Sequence, residues 1–307
     1  MMAMISTTQP AYLNLFHNGE LERRVQSAYE GLEACKVCPH RCGVNRLAGE
    51  LGVCKTGEKA QVSSYGPHPG EERPISGRRG SGTIFFARCN LRCVFCQNAD
   101  ISQLQYGREY ETDELAAVML ELQAMGCHNI NLVSPSHVVP QILAAVLIAA
   151  RSGLTLPLVY NTGGYDSLET LSWLDGVVDI YMPDMKFGDE DTARKYSLIP
   201  NYPEINQRAV VEMQRQVGDL EISEKGIAIR GLLVRHLVLP NGLANSEAIL
   251  RFLAQEVSLN VVLNIMAQYH PAFKADKFPL LNRRIKPNEY RRVVDLAKEL
   301  GLVQVVG

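Results

Sequence analysis

TIFFARCNLRCVFCQNAD, residues 83–100, is the stretch of this 307-residue chain that decides its fold. An apolar, strand-like run opens it, and a short loop with Cys89, Cys93 and Cys96 follows. Thiolates are the usual ligands of iron–sulfur clusters, and three in one loop indicate metal chemistry rather than disulfides in a chain without secretory features. No fourth Cys or His lies in the loop, so a four-iron cluster held there would keep one iron open. The alternative is a zinc site completed by a distant residue, although structural zinc prefers four closed ligands.

The bulk composition argues against several classes of protein. Lys and Arg total 31 against 33 Asp and Glu, so the net charge of −2 gives no electrostatic reason to expect nucleic acid or an anionic membrane as partner. The longest apolar stretch, residues 138–150, is too short to span a bilayer. The N-terminus lacks the pattern of a signal peptide. We therefore expect a cytoplasmic protein whose eight cysteines are ligands rather than bridges.

A second group of cysteines, called here the four-cysteine group, precedes the loop. It comprises Cys35, Cys38, Cys42 and Cys54. Glycines between them permit the turns that bring four sulfurs to one centre, and four thiolates with no free position suit a structural zinc ion or a closed iron site. Ligand type does not separate the two metals, and the functional interpretation is an auxiliary iron–sulfur cluster that relays electrons. His40 is expected to be a solvated neighbour rather than a ligand.

The segment between the two groups of cysteines, residues 60–82, is rich in Gly, Pro and charge, which predicts an irregular connection. Four of its residues could approach an active site, but a solvated loop is the simpler interpretation. They are His68, Glu71, Glu72 and Arg73. We place a domain boundary at its end. Residues 1–80 form an N-terminal region with a helix near residues 20–33 and the four-cysteine group, and residues 81–307 form the core.

From residue 83 onward, six β-rich runs alternate with helical patterns, which is typical of βα units around a parallel sheet. The predicted strands cover residues 83–87, 130–134, 156–161, 178–183, 232–239 and 261–267. The predicted helices cover residues 113–125, 140–152, 168–174, 203–217, 244–257 and 287–300. In βα barrels the chemistry gathers at the carboxyl ends of the strands, and each of these strands ends on polar residues.

The spacing CxxxCxxC, with Phe95 before the third cysteine, resembles the radical S-adenosylmethionine (SAM) superfamily. The core resembles its pyruvate formate-lyase activating enzymes. The four-cysteine group and the run CVFCQNADIS are closer still to the PflX-like branch, and the likeness covers residues 32–302. It implies an α/β fold, a partial (β/α)6 TIM-like barrel open on one side, with an N-terminal cysteine-rich extension and a 4Fe–4S cluster near the top.

In the activating enzymes the methionine part of SAM chelates the free iron, and one electron cleaves SAM to a 5′-deoxyadenosyl radical that abstracts hydrogen. The resemblance therefore implies a radical SAM oxidoreductase supplied by an electron donor such as flavodoxin or ferredoxin. Its target is left open between a glycyl-radical enzyme, a peptide and a small molecule. The alternative from another class is a non-catalytic iron–sulfur or zinc scaffold that senses redox state.

Motifs shared with the activating enzymes imply contacts to SAM. YNTGGY and PDMK resemble elements that position the SAM carboxylate, RHLVLP carries a matching basic position, and QYHP a matching late histidine. The glycine-rich element that usually follows the second strand is replaced by SPSH, residues 134–137, where a serine is expected to meet the SAM amino group. The candidate cofactor contacts are Phe95, Ser134, Asn161, Thr162, Met182, Asp184, Lys186, Arg235 and His270. The simpler alternatives are a core Met182 and an ordinary ion pair between Asp184 and Lys186.

Overall fold

A computed structural model describes residues 9–104, 106–302 and 304–306. The strands are β1 (Ala60–His68), β2 (Ser81–Phe86), β3 (Arg108–Tyr110), β4 (Ile130–Val133), β5 (Leu158–Thr162), β6 (Ile180–Pro183), β7 (Glu221–Ile222), β8 (Ala228–Leu237), β9 (Val262–Met266) and β10 (Val305–Val306). The α-helices are α1 (Tyr12–His17), α2 (Glu20–Glu30), α3 (Arg73–Ser76), α4 (Ala99–Ser102), α5 (Thr112–Ala124), α6 (Val139–Arg151), α7 (Leu168–Leu174), α8 (Glu190–Ser197), α9 (Tyr202–Val217), α10 (Ser246–Phe252) and α11 (Pro287–Glu299).

The strands form a sheet in the order β10, β9, β8, β6, β5, β4, β2, β1, β3, and β7 pairs with β8. Neighbours from β2 to β10 along this order run parallel, whereas β1 is antiparallel to both β2 and β3. The sheet does not close into a barrel: within the described residues, β3 and β10 are its two ends. The predicted α/β class with an open, partial barrel is confirmed.

Both faces of the parallel strands are covered, because successive side chains on a strand point to opposite faces. Leu132, Tyr160 and Tyr181 stand at paired positions and belong to the main core, which includes buried residues of α5 and α6. On the other face, Val159 and Ile180 form a separate cluster with Ile75 from α3. A short helix that precedes the parallel strands therefore covers the face that the main core leaves free.

The prediction for residues 60–82 is wrong. Residues 60–68 form β1, which pairs with β2 from Val62 opposite Phe86 to His68 opposite Ser81, with an irregularity near Val62. The Gly and Pro residues of this segment argue against a strand, and its burial alternates only in the first half. The strand forms because β2 supplies its hydrogen-bond partners.

Other element boundaries depart less from the prediction. The strand predicted at 232–239 begins earlier, at Ala228, and the helix predicted at 244–257 begins at Ser246 and ends in a π-helical turn, Leu253–Val257. Helix α8 was not predicted; it begins after Asp189, whose side chain caps it by accepting a hydrogen bond from the Thr192 amide. No helix among the described residues has both the length and the apolar character needed to cross a membrane.

The N-terminal region packs on the remainder of the chain. Tyr12 and Leu21 belong to the same buried core as Ile84 of β2, and the Ala11 amide donates to Asp179 Oδ1 at 2.9 Å. Because strand β1 also lies in the shared sheet, residues on both sides of the predicted domain boundary contribute to one core. The boundary at residue 80 itself stays a prediction.

The covered face gives a first prediction. Ile75 is fully buried, whereas Ile222 on β7 is 47% exposed. We expect Ile75→Ala to lower the free energy of unfolding by about 2–5 kcal/mol, because it removes buried methyl groups and leaves a cavity. The same change at Ile222 should cost less than about 1 kcal/mol. Urea denaturation of both apo variants measures the difference, and equal midpoints would mean that residues 71–76 are a solvated connection after all.

Candidate active site

The loop after β2, residues 87–98, is the three-cysteine loop. Its backbone is fixed from two directions. On one side, the Arg92 amide donates to the Ser197 carbonyl at 3.2 Å, and the Val94 amide donates to the Tyr196 carbonyl at 2.8 Å. On the other side, the Lys274 amide donates to the Val94 carbonyl at 2.9 Å. The last carbonyls of a helix lack partners within the helix. The end of α8 therefore serves as a docking point for the loop.

Each of the three loop sulfurs has a hydrogen-bond partner. The Ser197 hydroxyl lies 3.0 Å from Cys93 Sγ, the Ser102 hydroxyl lies 3.2 Å from Cys96 Sγ, and the Leu91 amide donates to Cys89 Sγ at 3.4 Å. Such contacts favour sulfur in its charged, metal-binding form.

Burial and the charges of neighbouring thiols raise the pKa values of two loop cysteines. Burial raises the pKa of Cys89 to about 12, and the charges of Cys93 and Cys96 add to the shift while Lys186 opposes it. Burial likewise raises the pKa of Cys93 to about 11. Neighbouring thiols that repel one another as anions are stabilised when iron neutralises them, so the donor set fits an iron–sulfur cluster. In the described chain, no three His, Cys, Asp or Glu side chains are grouped closely enough for a single metal ion.

Lys186 and Asp184 face this loop from the end of β6. Lys186 Nζ contacts Asp184 Oδ2, and both side chains are about four-fifths buried. Burial lowers the pKa of Lys186, but the charges of Asp184 and Cys93 raise it by more, so the net pKa lies above its ordinary value. The predicted ion pair is present, and it stands beside the cysteines.

Asn161 and Ser134 lie at the same edge of the sheet. The Ser134 amide donates to the Asn161 carbonyl at 2.9 Å, and Ser134 has a positive φ of 58°. His270 is nearby in the loop after β9, with Nδ1 3.4 Å from the side-chain nitrogen of Gln97, the residue after Cys96. These three candidate contacts therefore gather near the strand ends, and their contacts to SAM stay predictions.

The side chains of three other candidates are engaged within the protein, by packing or by hydrogen bonds. Phe95 is buried edge-on against Phe187 and Tyr269, with ring centroids 6.0 and 5.9 Å apart. Met182 is fully buried in the cluster with Ile75, which agrees with its simpler interpretation as a core residue. The Thr162 hydroxyl donates to Asp166 Oδ2 at 2.7 Å and lies 2.9 Å from the Ser136 hydroxyl, so a buried network already engages it.

Arg235, a candidate contact to the SAM carboxylate, is paired with two acids in this structure. Its guanidinium binds the carboxylates of both Glu71 and Glu72, and those two side chains are 7% and 6% exposed. Glu71 and Glu72 are therefore not in a solvated loop, and that prediction is wrong. Glu71 and Glu72 reach Arg235 because α3, which follows them, covers the same face of the sheet. A buried arginine also needs a compensating negative charge.

Sequence reasoning missed Asn131 on β4 and Asn264 on β9, which also meet these acids. Asn131 Nδ2 donates to Glu71 at 3.1 Å and Asn264 Nδ2 donates to Glu72 at 2.5 Å. One signal was available: each is a lone polar residue inside an otherwise apolar strand, INLV or VLNIM. Strands of a parallel sheet are usually buried on both faces, so a polar side chain there needs a partner.

The four-cysteine group forms a second site. Its four cysteines line one pocket together with Arg46 and His137. Burial raises the pKa of Cys38, and the charges of the other three cysteines add to that shift. Arg46 is 1% exposed, and its Nη1 donates to the His137 carbonyl at 2.8 Å and lies 3.9 Å from Cys35 Sγ. A buried cation beside four thiols fits a negatively charged metal–thiolate centre.

The two groups of cysteines adjoin each other. His40 Nε2 lies 2.8 Å from the Asn90 carbonyl of the three-cysteine loop, and Arg92 of that loop donates to the Val53 carbonyl. His40 is thus a half-buried contact residue rather than a solvated neighbour, which corrects that prediction.

Comparison with known proteins assigns part of this chain to a family. A family model of the radical SAM superfamily matches residues 83–215, the part of the chain with the three-cysteine loop and the Asp184–Lys186 pair. An uncharacterized protein of Methanocaldococcus jannaschii is 32% identical over 290 residues, which cover 92% of this chain and 79% of that protein. Residues 83–215 are therefore a radical SAM superfamily domain. A domain of this superfamily implies a 4Fe–4S cluster and SAM as cofactors.

Two solved structures match part of this chain. A radical SAM methyltransferase from Sphaerobacter thermophilus is 17% identical, with a TM-score of 0.47 over 73% of this chain and 65% of that one. HydG, a maturase of the FeFe-hydrogenase, is 13% identical, with a TM-score of 0.49 over 71% of this chain and 48% of that one. The chain spans less than two thirds of the length of either structure.

The three-cysteine loop gives a second prediction. Replacing Cys89, Cys93 or Cys96 singly with Ala should abolish the visible absorbance of a 4Fe–4S cluster after anaerobic reconstitution, because each would remove a ligand. Cys127 is buried outside both groups and provides the matched control, so Cys127→Ala should keep the absorbance. Retention of a full cluster by all three loop variants would refute the assignment.

The four-cysteine group gives a third prediction. A variant in which all three loop cysteines are Ala should still bind about one metal site per chain, because four further thiols remain in a separate pocket. Elemental analysis and absorbance of that variant identify the metal as zinc or iron. Adding Cys38→Ala and Cys54→Ala should then remove it. A well-folded loop variant that contains no metal would contradict the prediction.

Proposed function

We propose that this chain is a radical SAM oxidoreductase that binds its cluster through the three-cysteine loop and cleaves SAM reductively. When bound, the cluster and SAM supply one-electron cleavage to methionine and a 5′-deoxyadenosyl radical that abstracts hydrogen from the substrate. The observation that carries the proposal is the position of the loop: it follows β2 at the same carboxyl edge of the parallel sheet where Lys186 and Asp184 pair after β6. A metal scaffold alone would not need this charged pair beside its ligands.

In this proposal the chain's own residues orient SAM by charge. Lys186 is a partly exposed cation next to the loop, and we assign it to the SAM carboxylate because Arg235 is held by two carboxylates. Asp184 keeps Lys186 in position and offers an oxygen to the cationic amino or sulfonium group. Asn161, half-buried at the neighbouring strand end, provides a polar contact beside them.

Aromatic residues would keep water from one side of the loop. Phe95, Phe187 and Tyr269 are all buried there, and Tyr202 packs against Phe187 with its hydroxyl accepting a hydrogen bond from the Lys186 amide. Excluding water strengthens the ionic contacts of the site and protects a reactive intermediate.

The four-cysteine group is proposed to hold a second iron–sulfur cluster or a zinc ion. The buried charge of Arg46 supports a negatively charged centre, and the contact between His40 and Asn90 brings the two groups of cysteines together. An iron–sulfur centre in this position would relay electrons from a donor such as flavodoxin or ferredoxin. A zinc ion would instead couple folding of residues 35–54 to the loop.

The hydrogen donor is proposed to be a glycyl-radical enzyme, as the resemblance to activating enzymes of the PflX-like branch suggests, with a peptide or a small molecule as the alternative. Incubation of the reduced protein with SAM and a candidate glycyl-radical enzyme from the same organism tests this. A glycine-centred radical signal in electron paramagnetic resonance supports activation. SAM cleavage without that signal favours the alternative substrates.

Asp184 gives the fourth prediction. Asp184→Asn should reconstitute with the wild-type cluster absorbance, because Asp184 is not a proposed iron ligand. It should bind SAM about ten- to a hundredfold more weakly, the range for one lost hydrogen bond to a charged group, and form 5′-deoxyadenosine more slowly under dithionite. Asp191→Asn, at a side chain that is 96% exposed, is the matched control. Loss of the cluster in Asp184→Asn, or unchanged SAM affinity, would overturn the assignment.

A further inference from the structure

The two acids that hold Arg235 belong to a larger buried polar layer. We define this polar layer by Glu71, Glu72, Asn131, Arg235 and Asn264. Glu72 accepts from Arg235 Nε at 2.8 Å and from Asn264 Nδ2 at 2.5 Å. Glu71 accepts from Arg235 Nη2 and from Asn131 Nδ2. Every member is joined to another by a hydrogen bond.

The polar layer lies on the face of the parallel strands that α3 covers. It stands between the apolar cluster that contains Ile75, called here the apolar floor, and the proposed SAM contacts. Leu233 and Val262 stand two residues before Arg235 and Asn264 on their strands, and both belong to the apolar cluster with Ile75. Side chains two apart on a strand share a face, so the polar layer follows directly on that floor. Toward the carboxyl ends, Arg235 Nη1 lies 3.4 Å from Asn161 Oδ1.

The charges of the polar layer do not balance. It contains two carboxylates and one guanidinium, and the side chain of Arg235 is only 15% exposed. Burial raises the pKa of Glu72, but hydrogen bonds from Arg235 and Asn264 and the charge of Arg235 lower it by more, so Glu72 stays ionised. The imidazole of His68 lies beside Glu71, with Nδ1 3.5 Å from Glu71 Oε1, and its side chain is 41% exposed. A buried excess of negative charge favours a cationic partner.

Asn131 provides an independent sign of a missing donor. It is fully buried, and its Nδ2 must face Glu71 because a carboxylate accepts hydrogen bonds. Its Oδ1 then points elsewhere, and among the described residues no group donates to it. A buried acceptor without a donor costs free energy, and such groups usually mark a ligand or water position.

We propose that the polar layer is a substrate subsite that binds an ammonium or guanidinium group of the molecule from which hydrogen is abstracted. The nitrogen group donates to Asn131 Oδ1 and to Glu71, and its positive charge balances the second carboxylate. This inference rests on the proposed function, because the subsite adjoins the residues assigned to SAM. It names the substrate class: a peptide with a Lys or Arg side chain, or a small amine or guanidine.

Two probes of nearly the same shape separate charge from fit. n-Butylguanidinium carries the cation, and n-butylurea is its neutral counterpart. Each is titrated calorimetrically into the anaerobically reconstituted protein in the presence of saturating SAM. We expect the cation to bind at least about tenfold more tightly than the urea, as a hydrogen-bonded charge requires. Equal affinities, or competition between the cation and SAM, would overturn the subsite.

Variants test whether the named residues cause the preference. Glu71→Gln removes the excess charge and should reduce the ratio of the two affinities to about one, whereas Glu121→Gln, at an exposed glutamate on α5, should leave the ratio unchanged. Asn131→Ala keeps the ion pair and should weaken binding of the cation by about three- to tenfold. If Glu71→Gln does not fold, Asn131→Ala alone tests the subsite. If the two carboxylates act only as counter-ions of Arg235, Asn131→Ala should leave binding of the cation unchanged.

The proposed function can fail separately from this subsite. Formation of 5′-deoxyadenosine by the wild-type protein under dithionite tests SAM cleavage without any probe. Cleavage together with no preference for the cation refutes the subsite and leaves the function standing. Absence of cleavage refutes the function, and a preference for the cation that disappears in Glu71→Gln then still establishes the binding site.

Discussion

Parallel pairing of the central strands is the constraint on which the other features of this molecule depend. Six strands run in the same direction, so their carboxyl ends lie at one edge of the sheet: β2, β4, β5, β6, β8 and β9. The three-cysteine loop follows the first of these strands and Asp184 follows the fourth, which brings residues about a hundred positions apart in sequence to the same edge. No local interaction in either segment could do this.

The segment before β2 contributes a strand to the sheet. Strand β1 extends the sheet on the antiparallel side, and the chain then crosses the face of the parallel strands where Ile75 joins the apolar cluster. The same crossing brings Glu71 and Glu72 to Arg235. One stretch of backbone thus supplies a strand, a hydrophobic contact and two buried charges. Residues 60–82 tie the N-terminal region to the interior of the core.

Charge distribution links the two groups of cysteines. Arg88, in the loop between β2 and Cys89, has a pKa lowered first by burial and then by Arg92, while Cys54 acts in the opposite direction. Arg46 lies beside the four-cysteine group, and Lys186 lies beside the three-cysteine loop. Thiolates become stable when cations or metals compensate their charge. Each group of cysteines therefore has a basic residue next to it, whose positive charge offsets that of thiolates.

The sequence by itself determined the features that depend on neighbouring residues. Alternating β and helical patterns predicted the order of the six βα units, because apolar periodicity reflects local burial. The spacing of Cys89, Cys93 and Cys96 indicated a loop that binds an iron–sulfur cluster. The sequence also indicated Asp184 and Lys186 as residues at a strand end.

Only the tertiary structure decided the partners of residues far apart in the chain. Arg235 binds acids more than 160 positions away. The sequence patterns around RHLVLP and GEERP do not predict that these residues pair. Thr162 lies at a strand end as expected, but its hydroxyl is already used by Asp166. Strand β1 escaped prediction for the same physical reason: its hydrogen bonds are made with β2, and Gly and Pro are tolerated where that pairing supplies the stability.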